Sequence, residues 1–366
     1  MKVSVARGEL LEALSAVSKG LSSRTTLPIL SGVHISSIDN TLILQATDLE
    51  ISIKTKLKAR VEKAGQTVLP GKLLTDIVRS LPEAAVTIDV QTGGPTTITC
   101  GQSVFTVKTL NPEDFPKFPD ISATESVSLP GDVFTQVVHQ VSKAVSGDET
   151  RPILTGVLVV VEAGILRMVS TDSYRLCLRE VALDGVVGVL EVVIPGRAIE
   201  DVARLTASTE TVSLGVSDNQ VIFAFGETVF ISRRIEGAFP NYRQLIPKEH
   251  QTRAVLDRVG FIEAVKRVSL LAQHNAPLRV SVNIADHKLT LSAQTQDVGE
   301  AKEDIEIHPT GEDVEIAFNH AYLIDGISVA EGDKVALEIV SPLKPGIIKS
   351  VDGEDFTYLL MPVRLG

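Results

Sequence analysis

The chain is written three times. The segment AVSKGLSSRTTLPILSGV from Ala16 aligns without a gap on QVSKAVSGDETRPILTGV from Gln140, an offset of 124 residues. Val17/Val141, Ser18/Ser142, Lys19/Lys143, Pro28/Pro152, Ile29/Ile153, Leu30/Leu154 and Gly32/Gly156 match. Each copy reaches a Thr-Asp pair, with the aspartate 20 residues beyond its proline: Thr47-Asp48 and Thr171-Asp172. A fainter third copy runs from Pro277 to Asp297, again 20 residues. A later block repeats as VLPGKLLTDIVRSL from Val68, VIPGRAIEDVARL from Val193 and IAFNHAYLIDGISV from Ile316, followed by Phe105, Phe230 and Phe356 in three strand-like closings. A period near 125 residues is too long for a solenoid unit and right for a whole domain. Pro-rich polar segments, Asn111–Ser122 and Asn241–Thr252, mark the joints. The expected domains are therefore 1–120, 121–248 and 249–366.

Within a copy, Leu10, Leu14, Val17 and Leu21 recur at helical spacing, as do Phe134, Val138, Val141 and Val145, and Phe261, Val265, Val268 and Leu271. Alternation at Val33, Ile35, Leu42, Leu44, Ile51 and Ile53 reads as strands, with a hairpin turn at Asp39-Asn40. A second helix opens after Pro70-Gly71. The reading is helices over 7–20, 71–81, 131–144, 196–206, 257–272 and 319–330. Two helices on a mostly antiparallel sheet, in three tandem copies, make an α+β architecture.

The residues argue against an enzyme. Gly65–Lys72 imitates a phosphate-binding loop but has one residue too many between its glycines, and Leu73 stands where Ser or Thr should meet magnesium. The seven histidines show no zinc spacing, and no metal or cofactor is expected. Asp48, Asp172 and Asp297 recur once per domain, so they cannot converge on one catalytic centre; capping a turn is the expected role. The absence of Trp also argues against a sugar-stacking platform. Cys100 and Cys177 stand alone in strand-like runs and are expected as buried thiols rather than a disulfide. The charged start MKVSVARGELLEAL and the interrupted apolar run Val157–Val161 fit neither a signal peptide nor a membrane span, which implies a soluble cytoplasmic protein.

A net charge of −11 disfavours nucleic acid on average, but its distribution does not. The helical segments carry ten Lys and Arg against nine acids, so the acidity sits on strands and loops. Lys72 and Arg79 lie two turns apart on one helix face, and Arg197 and Arg204 repeat the spacing. Lys19 and Lys143 match at the ends of the first helices, and Arg24 follows in the loop. Such faces suit phosphate contact without base reading; a solvated helix face is the competing reading.

RPILTG at Arg151, TDSYRL at Thr171, FPNYRQLIP at Phe239 and MPVRL at Met361 resemble the bacterial DNA polymerase III beta subunit along the whole chain. The resemblance implies a sliding clamp: two subunits joined head to tail in a six-domain ring around duplex DNA, helices lining the hole, no catalysis of its own. It also implies a pocket for short peptides, one Gln and several apolar residues long. Through it would dock the polymerase's alpha subunit, the clamp loader's delta subunit, other polymerases and repair proteins, at a nucleoid-associated location. Matching motifs give the pocket as Leu154, Thr171, Tyr174, Arg175, Leu176, Pro240, Gln244, Leu245, Met361, Pro362, Val363 and Arg364, with the two arginines fixing polar groups at its rim. The dimer interface would join Ile77 and Phe105 to Leu270 and Leu271. The chain departs from the family pattern at Gly366, at Gln244 and in the acidic loop Gly147–Glu149. A protein-interaction scaffold of the same domains is the alternative.

Overall fold

A computed structural model describes residues 1–22, 26–91, 94–185, 188–272, 277–351 and 355–364. The first copy runs β1 (Lys2–Ala6), α1 (Arg7–Val17), β2 (Gly32–Ile38), β3 (Thr41–Thr47), β4 (Ile51–Lys58), β5 (Arg60–Lys63), β6 (Gly65–Pro70), α2 (Gly71–Ser80), β7 (Ala85–Val90), β8 (Thr96–Cys100) and β9 (Ser103–Val107). The second repeats this order, among the described residues without a counterpart of β5, as β10 (Glu125–Pro130), α3 (Gly131–Val141), β11 (Gly156–Glu162), β12 (Ile165–Thr171), β13 (Arg175–Ala182), β14 (Leu190–Pro195), α4 (Gly196–Thr206), β15 (Thr211–Val216), β16 (Gln220–Phe225) and β17 (Thr228–Arg233). The third is β18 (Thr252–Asp257), α5 (Arg258–Ser269), β19 (Leu278–Asn283), β20 (Lys288–Thr295), β21 (Gly299–Glu306), β22 (His308–Gly311), β23 (Val314–Phe318), α6 (His320–Val329), β24 (Lys334–Ile339), β25 (Gly346–Ser350) and β26 (Phe356–Leu360). All six expected helices form within a few residues of their expected bounds. The decoy phosphate loop is β6 running into α2.

The chain divides into two compact units, 1–132 with 201–234, and 133–200 with 235–366. In the first, β5-β1-β7-β8-β9 form one sheet and β10-β15-β16-β17-β4-β3-β2-β6 another. In the second, the sheets are β14-β11-β12-β13-β26-β25-β24-β18-β22 and β21-β20-β19-β23. A strand of one copy therefore completes the sheet of another twice: β17 pairs antiparallel with β4, and β26 with β13. Their counterparts, β9 and β21, are sheet edges.

Alternation builds the core. On β3, Leu42, Leu44 and Ala46 are buried while Thr41, Ile43 and Gln45 face outward, and β4 answers with Ile51, Ile53 and Thr55. The helices α1 and α2 lie antiparallel: Arg7 donates to the carbonyls of Val78 and Arg79, and at the other end the Ser18 and Thr75 hydroxyls meet at 3.3 Å. A Cβ on Gly71 would come within 2.4 Å of a Leu21 methyl, so a larger residue at the helix start would push that side chain aside. Both cysteines are buried free thiols in strands, and burial pushes the Cys177 thiol up.

Two matches read from spacing do not hold in register. The pairing Ala46↔Ile53 recurs as Ser170↔Cys177 and Ala293↔Ala301, so Thr295, not Asp297, occupies the place of Asp48. Asp297 instead sits in the β20–β21 turn at φ 62°. Similarly, Arg233 donates its N–H to Glu50 as Met361 does to Tyr174, which aligns Phe230 with Tyr358 rather than Phe356.

Candidate functional site

The turn between β12 and β13 is fixed by its own side chains. Asp172 Oδ1 accepts the N–H groups of Tyr174 and Arg175, both at 2.9 Å, and the Thr171 hydroxyl donates to the Arg175 carbonyl at 2.7 Å. The first copy builds the same turn: Asp48 accepts from Glu50 and Ile51, and Thr47 donates to the Ile51 carbonyl. Both turns hold the residue after the aspartate at positive φ, Leu49 at 76° and Ser173 at 79°. The capping role expected of Asp48 and Asp172 is therefore observed. Thr171 serves this turn, and Tyr174 is thrust outward with 62% of its surface exposed.

Helix α6 faces this turn within the same unit. In the first two copies the second helix starts at Pro-Gly; in the third it starts at Asn-His. Asn319 caps the helix, its Oδ1 accepting from the N–H groups of Ala321 and Tyr322 at 2.9 and 3.2 Å. His320 and Tyr322 then have room to project. The segment after β26 runs between the two elements: Met361 N–H donates to the Tyr174 carbonyl and Val363 N–H to the Ala317 carbonyl, each at 2.8 Å. Tyr174, Asn319, His320, Tyr322, Met361, Pro362 and Val363 line the resulting cleft of about 460 Å³.

Arg175 does not reach the rim. Its side chain is 12% exposed and donates to Asp172 at 2.9 Å, Asp325 at 2.5 Å and the Tyr358 hydroxyl at 3.2 Å, while its guanidinium stacks on Tyr322 at 4.1 Å. Burial alone would depress the guanidinium, but Tyr358, Asp325 and Asp172 together hold its pKa above the ordinary value. Arg175 thus braces the wall that Tyr322 gives to the cleft. Leu176 joins Leu158, Val169, Val193, Tyr242 and Leu359 in a buried cluster, against which Phe239 and Ile246 pack. That packing fastens the FPNYRQLIP segment and leaves Pro240, Gln244 and Leu245 exposed; Leu154 is buried and Arg364 exposed.

The structure therefore brings together Tyr174, Met361, Pro362 and Val363, and adds Asn319, His320 and Tyr322, which motif matching had missed. A signal for these three was present: at that position the third copy abandons the Pro-Gly of the other two.

The basic residues differ in their surroundings. Arg24 lies outside the described residues. Lys19 and Arg204 both bind the buried Asp201 carboxylate, each at 3.3 Å, and Arg79 pairs with Asp76 at 3.2 Å. Lys72 and Arg197 are exposed at the first turns of α2 and α4, and Lys143 is half-exposed after α3. In the acidic loop, Asp148 accepts from Thr150 and Arg151, and these bonds hold its carboxyl below the usual range. Among the described residues no cluster of His, Cys, Asp and Glu could hold a metal ion, and no helix is long and apolar enough to cross a membrane.

Three models of one family tile the sequence: DNA polymerase III beta subunit, N-terminal domain over residues 1–119, central domain over 128–241 and C-terminal domain over 243–364. A beta sliding clamp of Staphylococcus aureus is 32% identical over 374 aligned residues, covering 100% of this chain and 99% of the relative. The chain belongs to the DNA polymerase III beta subunit family. The beta sliding clamp of Staphylococcus epidermidis is 31% identical at the same coverage. Among solved members of the family, the Bacillus subtilis DNA polymerase sliding clamp superposes with a TM-score of 0.94 at 30% identity, and the Streptococcus pneumoniae beta chain with 0.94 at 28%. Each covers 100% of both chains.

Proposed function

We propose that this protein is a non-catalytic sliding clamp: two copies close head to tail around duplex DNA, and short peptides of the replicative polymerase and other partners dock in the cleft at Tyr174, Tyr322 and Met361. The proposed domains are 1–120, 121–248 and 249–366. The observation that carries the closed ring is the repeated strand exchange. Two joints are made inside the chain, β4 with β17 and β13 with β26, and the third pair of strands, β21 and β9, is unpaired. A second copy supplies each with its partner. The internal joints also give the register. Thr228↔Thr55 and Phe230↔Ile53 translate to Ser103 opposite Glu303 and Phe105 opposite Ala301 of the second copy. Burial supports this: Phe230 is 0% exposed under its partner strand, whereas Phe105 is only half-buried and Val104 is 62% exposed. Leu270, which stands where the first two copies have Lys19 and Lys143, is 72% exposed after α5. Burying such a leucine contributes about 1.5–3 kcal/mol.

For DNA, Lys72 and Arg197 at helix N-termini, together with Arg24, are the proposed phosphate contacts. The protein should remain on closed circular DNA and slide off the same DNA once linearised; equal loss from both would remove the encircling reading in favour of a scaffold. Replacing Arg24, Lys72 and Arg197 by Glu should weaken loading and lower the salt slope of DNA binding by roughly three, one per phosphate contact. Unchanged processive synthesis would show that these residues do not face DNA.

For the cleft, the proposed clients are the polymerase's alpha subunit, the clamp loader's delta subunit, other polymerases and repair proteins, in the cytoplasm at the nucleoid. His320 gives the cleft a pH signature. Burial lowers its pKa from the ordinary 6.5, and a bound apolar peptide would bury it further. Protonation therefore opposes binding. Peptide affinity should be flat above neutral pH and fall as the pH drops below 6.5 through the lowered value, and His320→Gln should flatten the profile. Calorimetry across that range checks the sign; stronger binding in acid would exclude His320 from the contact.

A further inference from the structure

The repeat supplies an internal control for one strand. The outward residues of β4 are Lys54, Lys56 and Lys58; in register, β13 carries Leu178, Glu180 and Ala182, and β21 carries Lys302, Asp304 and Glu306. In the second and third copies the outward acid is neutralised within its own sheet, Glu180 by Arg167 and Asp304 by Lys288. The first copy has no such balance. Gln45, Ile43 and Thr41 lie opposite the three lysines on β3, and Val229 lies beside Lys54 on β17. Among the described residues none of Lys54, Lys56, Lys58 and Arg60 forms an ion pair. Glu227, in the turn before β17, accepts only the backbone N–H of Lys56 at its carbonyl, at 3.2 Å.

Three like charges in a row on a sheet face oppose folding. Their spacing is regular, about 6.6 Å per two residues. Aromatic rings border the row: Phe118 lies under the Lys54 ammonium at 4.2 Å, and Phe115 lies tilted against His34 with centroids 5.2 Å apart. At its far end, Lys58 and Arg60 enter an open cleft of about 1210 Å³ with Asn40 and Thr41. We propose that this face is a second nucleic-acid site, a sequence-independent track for a single strand whose successive phosphates lie along Lys54, Lys56, Lys58 and Arg60. A flat face with evenly spaced cations and flanking rings suits an extended strand. An acidic peptide is the other occupant that a cationic row admits.

The test is fluorescence anisotropy of the full-length protein with a labelled oligothymidylate at low salt. Lys54→Gln with Lys56→Gln and Lys58→Gln should weaken binding at least about tenfold and lower the salt slope by about two, as expected for three lost contacts to a single strand. Retention on closed circular duplex should not change, which separates this track from the helix-borne contacts proposed above. The thermal midpoint should hold or rise, because like charges are removed. Unchanged oligothymidylate affinity overturns the proposal. So does a polyglutamate peptide that binds more tightly than the oligonucleotide and loses binding on the same substitutions, since the face would then belong to an acidic protein partner.

Discussion

Thr106→Pro should convert the protein to monomers without unfolding it. The Cys100↔Ser103 pair closes the β8–β9 hairpin, so the N–H groups of Ser103, Phe105 and Val107 point to β8. Those of Val104, Thr106 and Lys108 point to the open edge, as the bond from Arg233 to Glu50 shows at the equivalent internal joint. Proline at 106 removes a donor that only a second copy would use, and proline is tolerated on an edge strand. The lost bond and the crowding of the ring against β21 should cost about 3 kcal/mol at each of the two seams, about 6 kcal/mol together, or roughly four orders of magnitude in the dimer dissociation constant. Leu270→Ala with Leu271→Ala should give the same result from the helix side. Sedimentation velocity reads both; persistent dimers in both variants would mean that the copies meet elsewhere.

Deleting Met361–Gly366 should abolish binding of a Gln-plus-apolar peptide and leave dimerisation intact. The expected wild-type affinity is of order micromolar, about −8 kcal/mol, because only a few apolar side chains anchor the ligand. Three of the seven lining residues are lost in the deletion, and so are the two backbone bonds that tie the segment to Tyr174 and Ala317. Those bonds make the segment a fastened wall of the cleft rather than a free arm closing over it. Equal calorimetric affinity for the intact and shortened proteins would place the peptide elsewhere. Tyr322→Ala tests the opposite wall and leaves the C-terminal segment in place.

The fold was legible because its signals are local and written in triplicate. Apolar spacing marked all six helices, and Asp39-Asn40 marked its two-residue hairpin, with Asp39 at φ 50°. Residue counting failed because the markers themselves shifted. Pro28 lies four residues before β2 but Pro277 only one before β19, and the β19–β20 turn is longer than its counterpart, so Pro277 to Asp297 kept its count while Asp297 moved out of register. The site was half legible. Motifs marked the turn and the C-terminal segment, but beyond Asp172 the partners of Arg175 lie 150 and 183 residues away, and spacing alone could not show that its charge is spent inside the fold. Likewise, spacing alone could not show that Lys19 and Arg204 share the Asp201 carboxylate.

The exchange of lysine for leucine at position 270 gives the two kinds of joint different temperature behaviour. Where the first copy meets the second, Lys19 holds Asp201, an attraction that salt screens and that persists in the cold. At the proposed seam between protomers the same position offers a hydrocarbon side chain. Its contribution rests on removing apolar surface from water, which weakens on cooling and is strengthened by excluded salts such as sulfate. The seam that must part for DNA to enter would then be the joint most sensitive to cold, while the joint inside each chain stays shut.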